Sequence, residues 1–300
     1  MKYLSKLSRR MASMLCIPML LSWALAACSF PAPEALVDGL EPQPPVVGPA
    51  GPPVAATRTC DNQPADYVTV LNVPWNALPV VKPGVSSEGF WFAPGQANTL
   101  SLVDVPDAPL SPAKALRIGF PRGTPGGGAP SRWGSAPEFP ANHGSVYVCI
   151  WVRMSPDYSN NGNVGTKLFF MRDPWNNHFV SFDSPDRDRD AFVMTGLQFR
   201  DASLSTNVGQ VSTPSNNVAG GAWHKVEVVW QANTPGQRNG HYRQWVDGAL
   251  TGQSDAVMWF LSGQVPHWTS IWFDPTFGGG LNPVPHDQWI DLDHLVVALR

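Results

Sequence analysis

The feature that most constrains the fold of this chain is a series of short segments with the two-residue alternation of β-strands. The connections between them are rich in Gly, Pro, Asn and Ser, as in residues 123–134 and 155–163. This pattern is typical of antiparallel sandwiches and barrels, and it predicts an all-β domain. The predicted strands are residues 67–73, 89–93, 99–105, 114–120, 145–154, 166–172, 178–183, 192–201, 223–231, 241–248, 270–277 and 289–299.

The predicted strand at residues 145–154 has two faces of different character. Every second side chain, from Val146 to Val152, is aliphatic and suits a core. The opposite face includes Tyr147, Trp151 and Arg153. Two aromatic rings and a guanidinium on one face are unusual for a core, so this face is a candidate binding surface.

The first 27 residues predict a secretory signal peptide. A basic start is followed by a mostly apolar run and then by small residues before Cys28, which is the layout of a cleaved signal. The apolar run is short for a membrane span. The sequence LAAC at 25–28 resembles a bacterial lipobox, which implies cleavage before Cys28 and lipidation of its thiol. Ser29 in the next position implies the outer membrane. An ordinary signal peptide with an unrelated Cys28 is the alternative.

Residues 28–58 predict a lipidated tether ahead of the folded domain. This segment is rich in Pro and has neither a strand nor a helix period, and such chains are extended and semi-rigid. The folded domain is then predicted to span residues 59–300. We expect it to be held at the bacterial cell envelope, in contact with the membrane through the lipid anchor alone.

The net charge argues against a nucleic-acid partner. The signal carries four of the 20 Lys and Arg residues and none of the 23 Asp and Glu residues. The mature chain therefore has 16 basic and 23 acidic side chains, a net charge of −7. An acidic chain is a poor nonspecific ligand for nucleic acid, although a locally basic groove is compatible with this balance.

The cysteine count suits an exported protein. With Cys16 in the signal and Cys28 lipidated, Cys60 and Cys149 remain as an even pair in an oxidising compartment. A bridge between them would stabilise the fold by about 4–5 kcal/mol in the chain-entropy model. Free thiols, with Cys149 buried on its strand, are the alternative.

Three stretches together resemble the concanavalin A-like lectin/glucanase jelly roll. They are residues 145–172 (SVYVCIWVRMSPD followed by NVGTKLFFMR), residues 221–250 (GAWHKVEVVWQ to YRQWVDGAL) and residues 272–298 (WFDPTFGGGLNPVPHDQWIDLDHLVVA). They are most similar to its polysaccharide-lyase branch, the alginate- and glucuronan-lyase-like domains, and the likeness covers about residues 85–300. The resemblance implies a two-sheet antiparallel jelly-roll sandwich whose concave face binds a glycan.

In such a fold, Tyr147, Trp151 and Arg153 would line the glycan groove. Aromatic faces stack on sugar rings, and Arg can pair with a uronate carboxylate. The alternative is that a loop covers this face and Trp151 belongs to the core. Trp133 and Trp175 lie in predicted loops, where large aromatics suit a binding rim.

Glutamate is too scarce for a glucanase of the type found in this superfamily. Glycoside hydrolysis needs a pair of carboxyl groups, and the predicted domain has only Glu88, Glu138 and Glu227, which are far apart in sequence. A lyase needs other groups, namely a cation to neutralise the uronate carboxylate, a base for the C5 proton and an acid for the leaving oxygen.

Candidates for these roles stand on predicted strands. Alternation puts Lys167 and Phe169 on one face of their strand, opposite Leu168 and Phe170. The full set of candidate catalytic residues is Arg153, Lys167, Gln198, Arg200 and Tyr242. Known alginate-lyase strand motifs do not occur, so no role is carried over from that family. Each basic residue has a solvated strand face as its alternative.

No motif predicts a cofactor or a catalytic metal. The acidic run at 186–190 (DRDRD) lacks the Gly and Glu of a calcium loop, and no His or Cys pair has zinc spacing. A structural calcium at Asp291 and Asp293 is compatible with the fold, and hydrogen bonding of these residues to loop backbone is the alternative.

Three functional hypotheses follow. The first is a lyase-like domain that binds and cleaves an acidic uronate polysaccharide by β-elimination. The second is a glycan-binding domain without chemistry, and the third is a structural envelope protein. One groove shared by Arg153, Lys167, Gln198 and Arg200 would favour the lyase, and their scatter over both sheets would favour the binder.

Overall fold

The structure is a computed structural model that describes residues 60–75, 81–82, 85–86, 90–92, 99–110, 114–135, 138–163, 165–175, 177–183, 192–200, 207–208, 217–278, 280 and 282–300. All of these belong to one compact unit, residues 51–300. The predicted signal peptide, the tether, Cys28, Ser29, Glu88 and the acidic run at 186–190 lie outside the described residues. No helix among the described residues is long and apolar enough to cross a membrane.

The described residues form two antiparallel sheets, and this confirms the predicted all-β sandwich. The first sheet has the strand order β16-β15-β14-β8-β18-β6-β5, and β1 pairs with the far end of β18. Its strands are β1 (Val68–Val73), β5 (Leu100–Asp104), β6 (Lys114–Phe120), β8 (Ser145–Met154), β14 (His224–Gln231), β15 (Gly240–Val246), β16 (Ala249–Val257) and β18 (Gln288–Leu299).

The second sheet has the strand order β12-β11-β10-β9-β17-β7-β4, and β13 pairs with β11. Its strands are β4 (Phe90–Phe92), β7 (Trp133–Ser135), β9 (Gly165–Arg172), β10 (Asn177–Asp183), β11 (Phe192–Arg200), β12 (Asn207–Val208), β13 (Asn217–Val218) and β17 (Ser270–Phe273). β2 (Val81–Lys82) and β3 (Val85–Ser86) pair separately. For β2, β3, β4, β11 and β12, the backbone alone is described.

The core lies between the inner faces of the two sheets. The aliphatic face of β8, from Val146 to Val152, is completely buried there, as its alternation predicts. Phe169 of the second sheet reaches Trp230 of the first, with ring centroids 6.1 Å apart. Large aromatics therefore fill the gap of about 10 Å that separates packed sheets.

The outer face of the first sheet is covered by a segment that we call the N-terminal strap, residues 60–67. A disulfide joins Cys60 to Cys149 in the middle of β8. Beside it, Asn62 donates hydrogen bonds from its backbone N and its Nδ2 to the two carboxylate oxygens of Glu227, at 2.9 and 2.8 Å. Tyr67 closes the other end of the strap and is itself buried against this face.

The strap and a second loop correct the predicted position of the groove. Tyr147 is completely buried, and Trp151 is 5% exposed. The loop before β6 covers the far end of the same face, where Leu110 N donates a hydrogen bond to Asp293 Oδ2. Tyr147 and Trp151 therefore lie beneath covering chain and not in an open groove.

Candidate functional site

Arg153 lies on the covered face of the first sheet, where its guanidinium forms ion pairs and a stacking contact with other side chains. Its guanidinium pairs with the buried carboxylate of Asp291 at 2.8 Å and with Asp107 at 3.1 Å. Asp291 also pairs with Arg117 at 2.7 Å. The Arg153 guanidinium stacks on Trp223, 4.7 Å from the ring centroid. This network stabilises the sheet, and it removes Arg153 from the predicted catalytic set.

Tyr242 and Trp133 are also corrected, because both belong to the core. Tyr242 is completely buried, and its hydroxyl donates to Gln244 Oε1 at 2.6 Å. Burial raises the pKa of Tyr242 well above its ordinary value, so this phenol is a poor proton donor or acceptor for a substrate. Trp133 is completely buried and stacks on Phe273, with centroids 4.9 Å apart.

Lys167 lies on the outer face of the second sheet, but its neighbours differ from those predicted. In the pairing of β9 with β10, Phe169 lies opposite Val180, and Lys167 lies opposite the next residue, Ser181. Leu168 therefore has no partner of its own and forms a β-bulge. Leu168 and Phe169 are both buried, whereas Phe170 is partly exposed. The bulge therefore reverses the predicted positions of the two Phe residues.

The side chains of Gln198 and Arg200 are not described, but the backbone of both belongs to the second sheet. Gln198 pairs with Phe179, and Phe179 pairs with Phe170. Arg200 pairs with Asn207 of β12. Three of the five catalytic candidates thus belong to one sheet, and Arg153 and Tyr242 belong to the other.

The outer face of the second sheet carries a basic and aromatic surface that we call the β9–β17 face, formed by Lys167, Phe170, Arg172 and Trp272. Phe170 pairs in register with Trp272, and Trp272 pairs with Gly134. The guanidinium of Arg172 stacks on Trp272, with Cζ 3.7 Å from the ring centroid. All four side chains of this face are partly exposed, whereas Tyr147 and Trp151 on the first sheet are buried.

Arg172 has hydrogen-bonding capacity left over. Its Nε is buried and has no hydrogen-bond partner among the described residues. Desolvation lowers the pKa of Arg172 from its ordinary value, while the carboxylates of Glu138 and Asp173 act in the opposite direction. A guanidinium remains charged under all ordinary conditions, so Arg172 is a partly desolvated cation that can donate to an incoming anion.

A second ion pair lies at the end of β17. Arg132 Nε is 2.8 Å from Asp274 Oδ2, and the Asp274 side chain is only 15% exposed. Asp274 directly follows Phe273, whose partner across the sheet is Trp133, the residue after Arg132. Among the described charged side chains around this face, Lys167, Arg132 and Arg172 are basic, and Asp274, Glu138 and Asp173 are acidic.

Arg172 and Trp272 were not among the residues predicted from sequence. Alternation alone puts Arg172 and Lys167 on opposite faces, because five positions separate them. The extra residue at Leu168 brings both to the outer face. Trp272 had a weak signal, since it alternates with the core residues Ile271 and Phe273.

Trp175 lies in the turn between β9 and β10 and is 48% exposed. Its role at a binding rim stays a prediction. Among the described residues, no group of three or more His, Cys, Asp or Glu side chains is arranged to hold a metal ion. Asp291 is occupied by two guanidinium groups, and Asp293 accepts from the backbone of Leu110.

Comparison with known proteins finds similar strand arrangements in several solved structures. No protein-family model matches the chain, and no curated protein matches it. A variant of alginate lyase Aly36B in complex with alginate trisaccharide is 18% identical over 61% of this chain and 80% of that chain, with a TM-score of 0.49. An endo-β-1,4-glucuronan lyase from the fungus Trichoderma reesei is 15% identical over 70% and 90% of the two chains, with a TM-score of 0.45.

A carbohydrate esterase from a Shiga toxin-encoding bacteriophage is 12% identical over 78% of this chain and 99% of that chain, with a TM-score of 0.46. All three TM-scores lie below 0.5. The function proposed for this chain therefore rests on its own residues.

Proposed function

We propose that the protein binds an acidic polysaccharide, a uronate polymer, on the β9–β17 face. The observation that carries this proposal is the stack of Arg172 on Trp272, beside the partly exposed Phe170 and Lys167. A row of aromatic residues across neighbouring strands suits the stacking of successive sugar rings. Cations on the same surface suit the carboxylates that a uronate polymer carries on every ring.

Local charge supports an anionic ligand despite the acidic balance of the chain. Two of the four side chains that form the face, Lys167 and Arg172, are cations, and Asp274 beside the face is already paired with Arg132. The partly exposed guanidinium of Arg172 suits a bidentate contact, since a guanidinium can offer two parallel N–H groups to one carboxylate. A neutral glucan offers hydroxyl oxygens but no carboxylate, so it lacks the charge-assisted contact.

The test is affinity electrophoresis of the domain from residue 59 onward through gels containing alginate, glucuronan, pectate or a neutral β-glucan. We expect retardation by at least one uronate polymer and none by the neutral glucan. Equal mobility in every gel would contradict the proposal. Retardation by the neutral glucan alone would show a sugar binder of another specificity.

Cleavage by β-elimination is the second candidate. Its support is that the strands of Lys167, Gln198 and Arg200 belong to the sheet that carries the binding face. The positions of Arg153 and Tyr242 weaken it, because neither reaches that face. A continuous ultraviolet assay for unsaturated uronate on the same polymers decides between cleavage and binding alone. Rising absorbance would make the protein a lyase, and a flat trace with retained retardation would leave it a binder.

We also propose that the domain is held at the bacterial envelope by a lipid on Cys28. The support is the order of basic start, apolar run and LAAC at 25–28. In this arrangement the Pro-rich residues 28–58 would hold the binding domain away from the membrane surface.

A further inference from the structure

Trp175 is 48% exposed, yet contacts restrain both its backbone and its ring. It lies three residues after Arg172, at the end of the second sheet. Its backbone N–H donates a 2.7 Å hydrogen bond to Asp173 Oδ1. Its indole packs edge-on against Phe260, with ring centroids 6.1 Å apart. An exposed loop tip is ordinarily mobile, so this degree of restraint calls for an explanation.

The restraint begins at a buried pair. Asp173 Oδ2 lies 2.9 Å from His178 Nε2, and both side chains are completely buried. Since a carboxylate only accepts, Nε2 of His178 carries the proton. His178 Nδ1 is buried and has no hydrogen-bond partner within the part of the chain that the structure describes. The bond to Asp173 is therefore the hydrogen bond that this imidazole makes among the described residues.

Ring contacts connect His178 back to Trp175. The imidazole lies edge-on against Trp268, at 5.4 Å, and against Trp259, at 5.0 Å. Trp268 in turn contacts Phe260 at 5.6 Å, and Phe260 contacts the ring of Trp175. His178 is therefore connected to Trp175 in two ways. Asp173 links it to the backbone of Trp175, and Trp268 and Phe260 link it to the indole.

We infer that His178 is a positioning residue that holds Trp175 as a stacking platform for a sugar ring beyond the end of the β9–β17 face. This inference rests on the proposed function. A platform that is rigid before binding adds contact area and loses little conformational freedom when a sugar stacks on it. The platform lies past Arg172, so it adds contacts for a long uronate chain and none for a short one that ends on the sheet. The protein therefore selects for chain length.

The test compares the affinities of trisaccharides and dodecasaccharides from alginate, glucuronan and pectate, measured by calorimetry. For wild-type protein we expect tighter binding of the dodecasaccharide of the recognised polymer. Trp175→Ala should weaken dodecasaccharide binding by about two- to tenfold and leave trisaccharide binding unchanged. The matched control is Leu250→Ala, since Leu250 is also 48% exposed but lies on β16 of the first sheet. This control should change neither affinity.

Two variants of His178 test the positioning role. His178→Phe keeps a ring among Trp259 and Trp268 but loses the donor to Asp173, so it should lose the length preference as Trp175→Ala does. His178→Gln offers an amide donor to Asp173 and should restore part of that preference. Equal weakening of short and long ligands by His178→Phe would show a general structural effect and overturn the positioning role.

The outcomes separate this inference from the binding proposal. Dodecasaccharide affinity unchanged in Trp175→Ala, with binding otherwise intact, would overturn the platform and leave the β9–β17 face standing. Wild-type protein that binds neither length from any of the three polymers would remove both proposals. Trp175 is a surface residue, so its variant is expected to fold and to give an answer even where a His178 variant does not.

Discussion

The phenol of Tyr147 donates a 2.6 Å hydrogen bond to Glu227 Oε1, and both side chains are completely buried beneath the N-terminal strap. Glu227 also accepts two hydrogen bonds from Asn62 and lies 3.4 Å from Lys225 Nζ. The carboxylate therefore joins β8 and β14 to the strap. The sequence suggests a sugar-binding role for Tyr147, but in the structure its hydroxyl belongs to the hydrogen-bond network that holds the strap against the sheet.

Tyr147→Phe should lower the free energy of unfolding by about 1.5–3 kcal/mol, because a buried carboxylate loses a hydrogen-bond donor. Affinity for polysaccharide should stay unchanged, since the hydroxyl is remote from the β9–β17 face. Urea denaturation and affinity electrophoresis of the same sample check both points. A variant of normal stability that no longer binds would return Tyr147 to the binding surface.

Reduction of the Cys60–Cys149 disulfide should destabilise the protein by about 2–5 kcal/mol, because it frees a loop with a sequence separation of 89 residues. Thermal unfolding with and without a thiol reductant measures the effect. The double variant Cys60→Ser/Cys149→Ser is the control, since its unfolding should not respond to reductant. If the reductant lowered the unfolding temperature of the wild type and of the double variant equally, its effect would not arise from this disulfide.

Arg172→Ala should weaken uronate binding about 10- to 100-fold, equivalent to the 1.5–3 kcal/mol of a hydrogen bond to a charged group. Arg243→Ala is the matched control, because Arg243 is a partly exposed strand arginine of the first sheet that pairs with Asp255. Calorimetric titration with the recognised polymer measures both variants. If the two variants lost the same affinity, the loss would reflect the change in net charge and not a specific contact of Arg172.

Stability should fall with acid partly through His294. Burial lowers the pKa of His294 below its ordinary value of 6.5, and Asp293 opposes that shift. The unfolded chain therefore takes up this proton first as the pH falls below about 6.5. The stabilisation present above that pH is lost as the pH approaches the folded pKa.

We expect the urea midpoint to decrease between about pH 7 and about pH 5, and to decrease less in His294→Asn. Asn is chosen because it tolerates the positive φ of 49° at this position. The effect is small, since His294 is partly solvated and water screens its charge. Parallel losses in the wild type and the variant would assign the acid sensitivity to other groups.

Cys28→Ala should release the protein from the membrane fraction of bacterial cells that express the full chain. The reason is that a thiol is the site of lipidation in a lipobox, and alanine offers none. Immunoblots of soluble and membrane fractions measure the change, with Cys16→Ala as the control because Cys16 lies within the predicted signal. Unchanged membrane association of Cys28→Ala would contradict the lipid anchor.

Alternation in the sequence predicted the strands that form the core, since a strand with one buried face must repeat every two residues. Every predicted strand has a counterpart, but the short strands β2, β3, β7, β12 and β13 were missed, and so was the longer β16 (Ala249–Val257). As an edge strand of the first sheet it is largely exposed and lacks an apolar period. Strands held by a single neighbour carry little of the signal on which such prediction depends.

The candidate site was predicted in part. The sequence identified Lys167, which lies on the β9–β17 face, but it selected Arg153 and Tyr147 for the same groove, and both lie on the first sheet. It missed Arg172, because a one-residue bulge at Leu168 reverses which side chains of β9 point outward. It also missed Trp272 of β17, although Trp272 alternates with the core residues Ile271 and Phe273. The aromatic and basic side chains of β8 do lie on one face, as predicted, but the N-terminal strap and the loop before β6 cover that face.

The sequence by itself determined the all-β class, the strands of the core and the absence of the glutamate pair that a glucanase needs, because period and composition are local properties. Only the tertiary structure decided that the aromatic side chains of the first sheet's outer face are buried and that those of the β9–β17 face are partly exposed. The strap that buries Tyr147 contacts Glu227 from 165 positions away along the chain, and Asp291 reaches Arg153 across 138 positions. Contacts of that range depend on strand order and register, which alternation within a strand does not encode.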